Sequence, residues 1–247
     1  MRKLLIIVTS VTSKLHSLWI KRNNDSYIKY LKRLGIAIGE NVHFRGPSST
    51  RIDISRPALI TIGNNIDINT NFQMLTHDWC SFVFRLKYAD FINSSGRIVL
   101  GNNIYIGTNV TILKGVKVGD NVIIGANSLV TRDIPSNSVA AGVPCKIICS
   151  IDEYYMKRKD EGLKEAEEFV RLFVKRNKRA PLPKELSEEF IYFVDKSNWE
   201  EYEVQGVPVK RQLNKAFDRW LENHHKNFDS YEDFVHYCLK DYDCHNE

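Results

Sequence analysis

Imidazole is the side chain whose ordinary pKa, about 6.5, lets it take a proton from a hydroxyl near neutral pH and pass it on. Of the seven histidines, His16, His43 and His77 lie in the first half of the chain, and His77 stands in the segment Met74-Leu75-Thr76-His77-Asp78. A lone histidine in a loop is by itself more often structural than catalytic. Asp78 could orient the ring or merely turn the chain, because adjacent side chains rarely face each other. The five cysteines, Cys80, Cys145, Cys149, Cys238 and Cys244, form no Cys-x-x-Cys pair and no zinc-like spacing with histidine, so neither a metal site nor a redox pair is expected. Cys145 and Cys149 read as packing residues. An odd cysteine count, with no secretory signal in view, points to reduced thiols in a cytoplasmic protein.

The elements that must position these side chains are announced by a period. From Leu100 to Pro135 every sixth residue is a branched aliphatic: Leu100, Ile106, Ile112, Val118, Ile124 and Val130. A helix would repeat at 3.6 and a single strand at 2, so a sustained recurrence of six predicts short strands joined by tight turns in a β solenoid. Gly101, Gly107, Gly119 and Gly125 follow the aliphatics and would supply backbone freedom and close approach at the corners. Ile104, Val110, Val116, Val122 and Ile134 add a second apolar position, and stacking of successive coils would make one continuous core.

Between Ile36 and Met74 the period is recognisable but irregular. Ile38-Gly39-Glu40-Asn41-Val42 and Ile62-Gly63-Asn64-Asn65-Ile66 keep it, whereas Ser48 to Pro57 breaks the register between Pro47 and Pro57, as a corner loop would. From Thr76 to Gly96 the repeat stops altogether. Long unpatterned stretches in compact domains are often functional, so an excursion over 76–96, with His77 at its mouth, is expected to build a functional pocket.

The flanks are helical in pattern. Leu4 to Val8, with Val11, Leu15, Leu18 and Trp19, predicts N-terminal helices over residues 1–35, either covering the open first coil or making peripheral membrane contact. That apolar run is far too short to span a bilayer. After Ser150 an apolar face of Leu163, Ala166, Phe169, Val170, Phe173 and Val174 predicts a helix ended by Pro181 and Pro183. Further helices are expected at about 184–195, 208–223 and 230–240. The resulting domains are 1–35, 36–150 and 151–247. Aromatics of the last domain (Phe190, Tyr192, Phe193, Trp199, Phe217, Trp220, Phe234, Tyr237) read as core rather than a base-stacking surface. The 247 residues carry a net charge of +5 and 43% hydrophobic residues, an ordinary globular composition with dispersed charge and no nucleic-acid footprint.

The hexads, followed by Thr131-Arg132-Asp133-Ile134-Pro135 and Ala140-Ala141-Gly142-Val143-Pro144-Cys145-Lys146, resemble the hexapeptide-repeat acyltransferases, in their sugar and xenobiotic O-acetyltransferase branch. The likeness covers roughly residues 36–150. It implies a left-handed parallel β-helix with three sides per coil, a hand opposite to the general rule for parallel crossovers. It also implies acetyl-CoA as acyl donor, a homotrimer with sites between subunits, and no metal. His77 falls where these relatives carry their catalytic histidine. With three six-residue sides, Thr108 and Ala126 stack one above the other, and the resemblance assigns both, with Gly125, Thr131, Arg132 and Lys146, to the cofactor, the cations suiting its phosphates.

The reading is an acetyl-CoA-dependent O-acetyltransferase acting on a sugar hydroxyl of a surface polysaccharide, glycolipid or precursor. Transfer to an amino sugar, or to the hydroxyl of an antibiotic, is the alternative within the class. A zinc hydratase on the same scaffold would need partner histidines that the second half of the solenoid lacks, and a purely binding solenoid would not need the Ala-Gly-Val-Pro-Cys-Lys segment.

Overall fold

The computed structural model describes residues 20–240. The expected helix over the N-terminal apolar run, with His16 and the membrane contact proposed for it, lies outside the described residues, as does Cys244. The chain divides into two compact units, Met1–Tyr155 and Met156–Glu247.

The first unit opens with α1 (Asn24–Arg33), whose N-cap Asn23 accepts a hydrogen bond from the Ser26 amide at 2.9 Å and whose inner face buries Tyr27 and Leu31. Asn24 turns its side chain to the coil. Its Nδ2 donates to the Val42 carbonyl at 3.1 Å and its Oδ1 accepts from the Phe44 amide at 2.8 Å.

Fourteen short strands follow: β1 (Ala37–Ile38), β2 (Val42–Phe44), β3 (Arg51–Ile52), β4 (Ile60–Ile62), β5 (Ile66–Ile68), β6 (Gln73–Leu75), β7 (Ile98–Leu100), β8 (Ile104–Ile106), β9 (Thr111–Leu113), β10 (Lys117–Val118), β11 (Val122–Ile124), β12 (Leu129–Val130), β13 (Ser138–Ala141) and β14 (Lys146–Ser150). They form three sheets, ordered β1-β4-β7-β10, β14-β13-β11-β8-β5-β2 and β12-β9-β6-β3. From β1 to β12 the chain visits the three sheets in strict rotation, and every pairing among these strands is parallel. This is the path of a three-sided coil. The six-residue period arises because each side needs one inward aliphatic at the same height. Ile38, Ile62, Leu100 and Val118 share one row; Phe44, Ile68, Ile106, Ile124 and Ala140 share a second; Ile52, Met74, Ile112 and Val130 share a third. All but Ile38 are buried, and a fully buried aliphatic contributes roughly 1.5–3 kcal/mol.

The corners divide their labour differently from the expectation. The left-handed turn is taken by asparagine, at φ 55° in Asn41, Asn65, Asn103 and Asn121, a conformation its short polar side chain tolerates. None of Gly101, Gly107, Gly119 or Gly125 adopts positive φ. Their role is closeness: a Cβ on Gly107 would sit 2.6 Å from the Ala126 amide nitrogen of the next coil. The asparagines also ladder, Asn103 to Asn121 at 2.8 Å and Asn121 to Asn137 at 2.9 Å. At the far end β14 turns back antiparallel onto β13, ending the parallel stack.

Helix α2 (Ser81–Lys87) belongs to the excursion of the first unit; the long helix Ile151–Asn177 begins in the first unit and lies mostly in the second. With the long helix as α3, the rest are α4 (Trp199–Val204), α5 (Val209–Leu213), α6 (Phe217–Asn223) and α7 (Tyr231–Leu239). Phe190, Phe193, Val194, Val209, Phe234 and Cys238 are buried together, with Tyr192, Trp199, Phe217 and Trp220 partly buried around them; Tyr237 is exposed. The helix expected at 184–195 is instead two 3-10 turns, Pro183–Glu185 and Glu189–Tyr192. Its carboxylate explains the first turn: Glu185 accepts from the Leu182 amide at 2.6 Å and pairs with Arg179. The expected 208–223 helix is broken at Asn214, at φ 48°, and α4 was not expected.

Candidate active site

Strands β3 and β6 are neighbours in one sheet, with Ile52 opposite Met74. Asp53 and the Thr76-His77 pair, which follow those strands, are thereby set side by side. Asp53 is 24 residues before His77 in sequence, yet its Oδ2 lies 2.5 Å from His77 Nδ1. The same oxygen accepts from Thr76 Oγ1 at 2.5 Å, and Oδ1 accepts from Ser55 Oγ at 2.6 Å and the Ser55 amide at 3.0 Å. The Asp53 side chain is only 9% exposed, whereas that of His77 is 35% exposed. Burial works against the Asp53 charge, but the hydrogen bonds from Ser55, Thr76 and His77 outweigh it and hold the carboxyl well below the usual carboxylate range. An ionised carboxylate can only accept, so Nδ1 must be the donor of this pair, and Nε2 is the ring nitrogen outside it.

The excursion rises from this point. His77 and Ser95 form an antiparallel bridge, the Gly96 amide donates to the Thr76 carbonyl at 2.9 Å, and the Asp78 amide to the Ser94 carbonyl at 3.1 Å. The two limbs thus pair at the foot, and α2 sits beyond. Ser81 is buried and ties the far side, donating to the Ile92 carbonyl at 2.5 Å and accepting from the Ile92 amide at 2.9 Å. The excursion's large apolar side chains face outward: Trp79, Phe82, Val83, Leu86, Tyr88, Phe91 and Ile92 are all exposed. Asp78 faces away from the imidazole's partner. Its carboxylate binds the Lys114 ammonium, Ser94 Oγ at 2.8 Å and the Cys80 amide at 3.0 Å. His43 is exposed on β2, its Nε2 3.0 Å from Asn41 Oδ1.

The residues singled out for a cofactor gather at the later coils. Thr108 stacks under Ala126, the Asn127 amide donating to the Thr108 carbonyl at 2.8 Å. Thr108 Oγ1 lies 3.5 Å from Thr70 Oγ1 in the coil before. The column has small side chains only, and a Cβ on Gly125 would fall 2.9 Å from the Ala141 Cβ. The turn between β13 and β14 folds over β12: the Leu129 amide donates to the Gly142 carbonyl at 3.0 Å, and Cys145 N to the Leu129 carbonyl at 2.8 Å. Lys146 follows this turn, and Thr131 and Arg132 follow β12. All three are exposed, and among the described residues neither cation is paired with a carboxylate. Among the described residues no group of three histidine, cysteine, aspartate or glutamate side chains could hold a metal ion.

Asp53 and Lys114 are the residues that reading the sequence did not reach. Asp53 lies in the 48–57 stretch where the period breaks; the signal that finds it is the row partner of Met74, since Ile52 is that partner and Asp53 follows it.

Three kinds of comparison bear on this geometry. Residues 97–132 match the model of the bacterial transferase hexapeptide (six repeats) family. Protein CapG of Staphylococcus aureus is 40% identical over 127 residues, which cover 51% of this chain and 73% of CapG. The galactoside O-acetyltransferase of Escherichia coli K12 is 55% identical over 126 residues, 49% of this chain and 59% of that protein. Among solved structures, a maltose O-acetyltransferase from Clostridium difficile 630 aligns at 26% identity with a TM-score of 0.37, over 57% of this chain and 87% of that one.

Proposed function

The chain belongs to the hexapeptide-repeat acyltransferase family, and on that premise we propose that it is an acetyl-CoA-dependent O-acetyltransferase acting on a sugar hydroxyl. The observation that carries the reading is the Asp53–His77 pair, whose 2.5 Å contact engages Nδ1 and leaves Nε2 to meet the acceptor. In this proposal the coil is left-handed, the protein is a cytoplasmic homotrimer, and the acceptor belongs to a surface polysaccharide, glycolipid or their precursors. The likeness to a galactoside O-acetyltransferase supports the sugar acceptor. The reading of the donor site rests on the chain itself: Thr108, Gly125 and Ala126 are small residues of the later coils, and Arg132 and Lys146 are exposed cations with no carboxylate partner among the described residues, which suit phosphates.

Acetyl-CoA supplies an activated acyl carbon. His77 Nε2 takes the proton as the acceptor oxygen bonds to that carbon, Asp53 stabilises the imidazolium so formed, and the proton then leaves with the departing thiolate. A general base of this kind is worth about 10²–10⁴ in rate. His77→Ala should therefore lower turnover of acetyl-CoA with galactosides by that factor while calorimetric titration with CoA shows unchanged binding, since Thr108, Gly125, Ala126, Thr131, Arg132 and Lys146 are retained. A folded variant with near-normal turnover would remove His77 from this role.

A further inference from the structure

The excursion buries little apolar surface of its own. Most of its large aromatic and aliphatic side chains are exposed and the one buried residue of α2 is Ser81; the limbs meet through an edge-on Trp79–Phe91 ring contact, centroids 5.7 Å apart, and through polar contacts at the foot. At the foot, one ammonium joins both limbs to the next coil. Lys114 follows β9 and binds the Asp78 carboxylate of the outgoing limb and the Ser94 hydroxyl of the returning limb, while Ser94 Oγ itself donates to Asp78 at 2.8 Å. Asp78 and Ser94 flank the two residues of the antiparallel bridge, His77 and Ser95. The turn that carries Lys114 is also pressed against the same foot. A Cβ on Gly96 would stand 2.7 Å from the Gly115 amide nitrogen, so the backbones approach with no room to spare.

We propose that Lys114 is a positioning residue for His77: by holding Asp78 and Ser94 together on the β9 turn, it clamps both limbs of the excursion and keeps the imidazole against Asp53. This rests on the general-base reading above. The Lys114 ammonium, with Ser94 and Cys80, keeps the Asp78 carboxyl well below the usual carboxylate range. Both partners are partly open to solvent, at 33% and 49% exposure, and exposed ion pairs add little to folding stability. A reacting group displaced by about 1 Å, by contrast, can lose about a hundredfold in rate. The clamp therefore acts on catalysis more than on stability.

The test uses the full chain with acetyl-CoA and methyl galactoside, comparing Lys114→Met, Lys114→Arg, Asp78→Asn and the Lys114→Met/Asp78→Asn double variant. Lys114→Met is expected to lower kcat about tenfold to a hundredfold, with KM for acetyl-CoA and the melting temperature nearly unchanged. Lys114→Arg should retain most of the rate, and the double variant should be no slower than the slower single one, because both substitutions open one clamp. A second measurement does not depend on turnover. The His77 Nδ1–H resonance, assigned by its loss in His77→Ala, should be present in the unaltered protein and shifted or broadened away in Lys114→Met. An Lys114→Met protein with unaltered kcat and an unaltered resonance would overturn the positioning role. If the unaltered chain transfers no acetyl group, the functional reading fails, and the resonance still decides whether Lys114 places the imidazole.

Discussion

Asp53 is held ionised by donors on three residues, Ser55, Thr76 and His77, and that charge has a thermodynamic consequence. Its folded-state pKa lies below the unfolded value of about 3.9. Stability from such a group is present in full above the unfolded value and drains away as pH falls through the folded one. Asp53→Asn removes that linkage, so urea unfolding midpoints of the variant should fall less steeply than those of the unaltered protein between about pH 4 and pH 2. Equal acid slopes would mean that the carboxylate is not held in the folded state as described. The position also shows what was legible. His77 stands where the period stops, a signal visible in one dimension, and Asp78 was noticed because it is its neighbour. Asp53 is adjacent only through the pairing of β3 with β6, and Lys114 only through the pairing of β6 with β9; neither pairing can be counted along a sequence interrupted by a broken register and an excursion.

At the scale of the element, each strand from β1 to β12 has two or three residues, too short to hold itself, so its stability comes from the rows above and below. Ile106 lies fully buried between Ile68 and Ile124, and Ile106→Ala should cost about 2–5 kcal/mol. Gly107→Ala should also destabilise, by about 1–3 kcal/mol, because the added Cβ meets backbone of the adjacent coil rather than a side chain that could move. Denaturant titration of both variants checks this; a Gly107→Ala protein as stable as its parent would show that the coils can separate locally. The strands were legible because one strict period serves every coil. The helices after Asn177 were less so. Leu186, Phe190, Phe193 and Val194 have helical spacing, yet two 3-10 turns satisfy the same burial, since an apolar pattern constrains which side chains face inward and not the hydrogen bonds between them.

For the whole molecule, the exposed apolar surface of the first unit is the quantity to explain. Leu86 is 83% exposed and Phe91 64%, and they lie with Trp79, Phe82 and Tyr88 on one excursion; patches of this kind on soluble proteins usually mark contact surfaces. The proposed homotrimer, with its donor site between subunits, gives this surface a reading that can be tested. Sedimentation equilibrium should return a mass near three times 28.6 kDa, and a fully active monomer would exclude a site shared between chains. Among the described residues no helix is long and apolar enough to cross a membrane.

A parallel coil has two open ends, each a row of backbone donors and acceptors that a further coil could extend. Asn24 occupies one of them with an amide that is not backbone, giving the Val42 carbonyl and the Phe44 amide the partners another strand would have given. Because a side-chain amide offers no onward row, it acts as a chain terminator in the polymer sense. Removing it would leave two positions of the β2 edge without those partners beneath α1, and Asn24→Ala is to be read by self-association as well as by melting temperature.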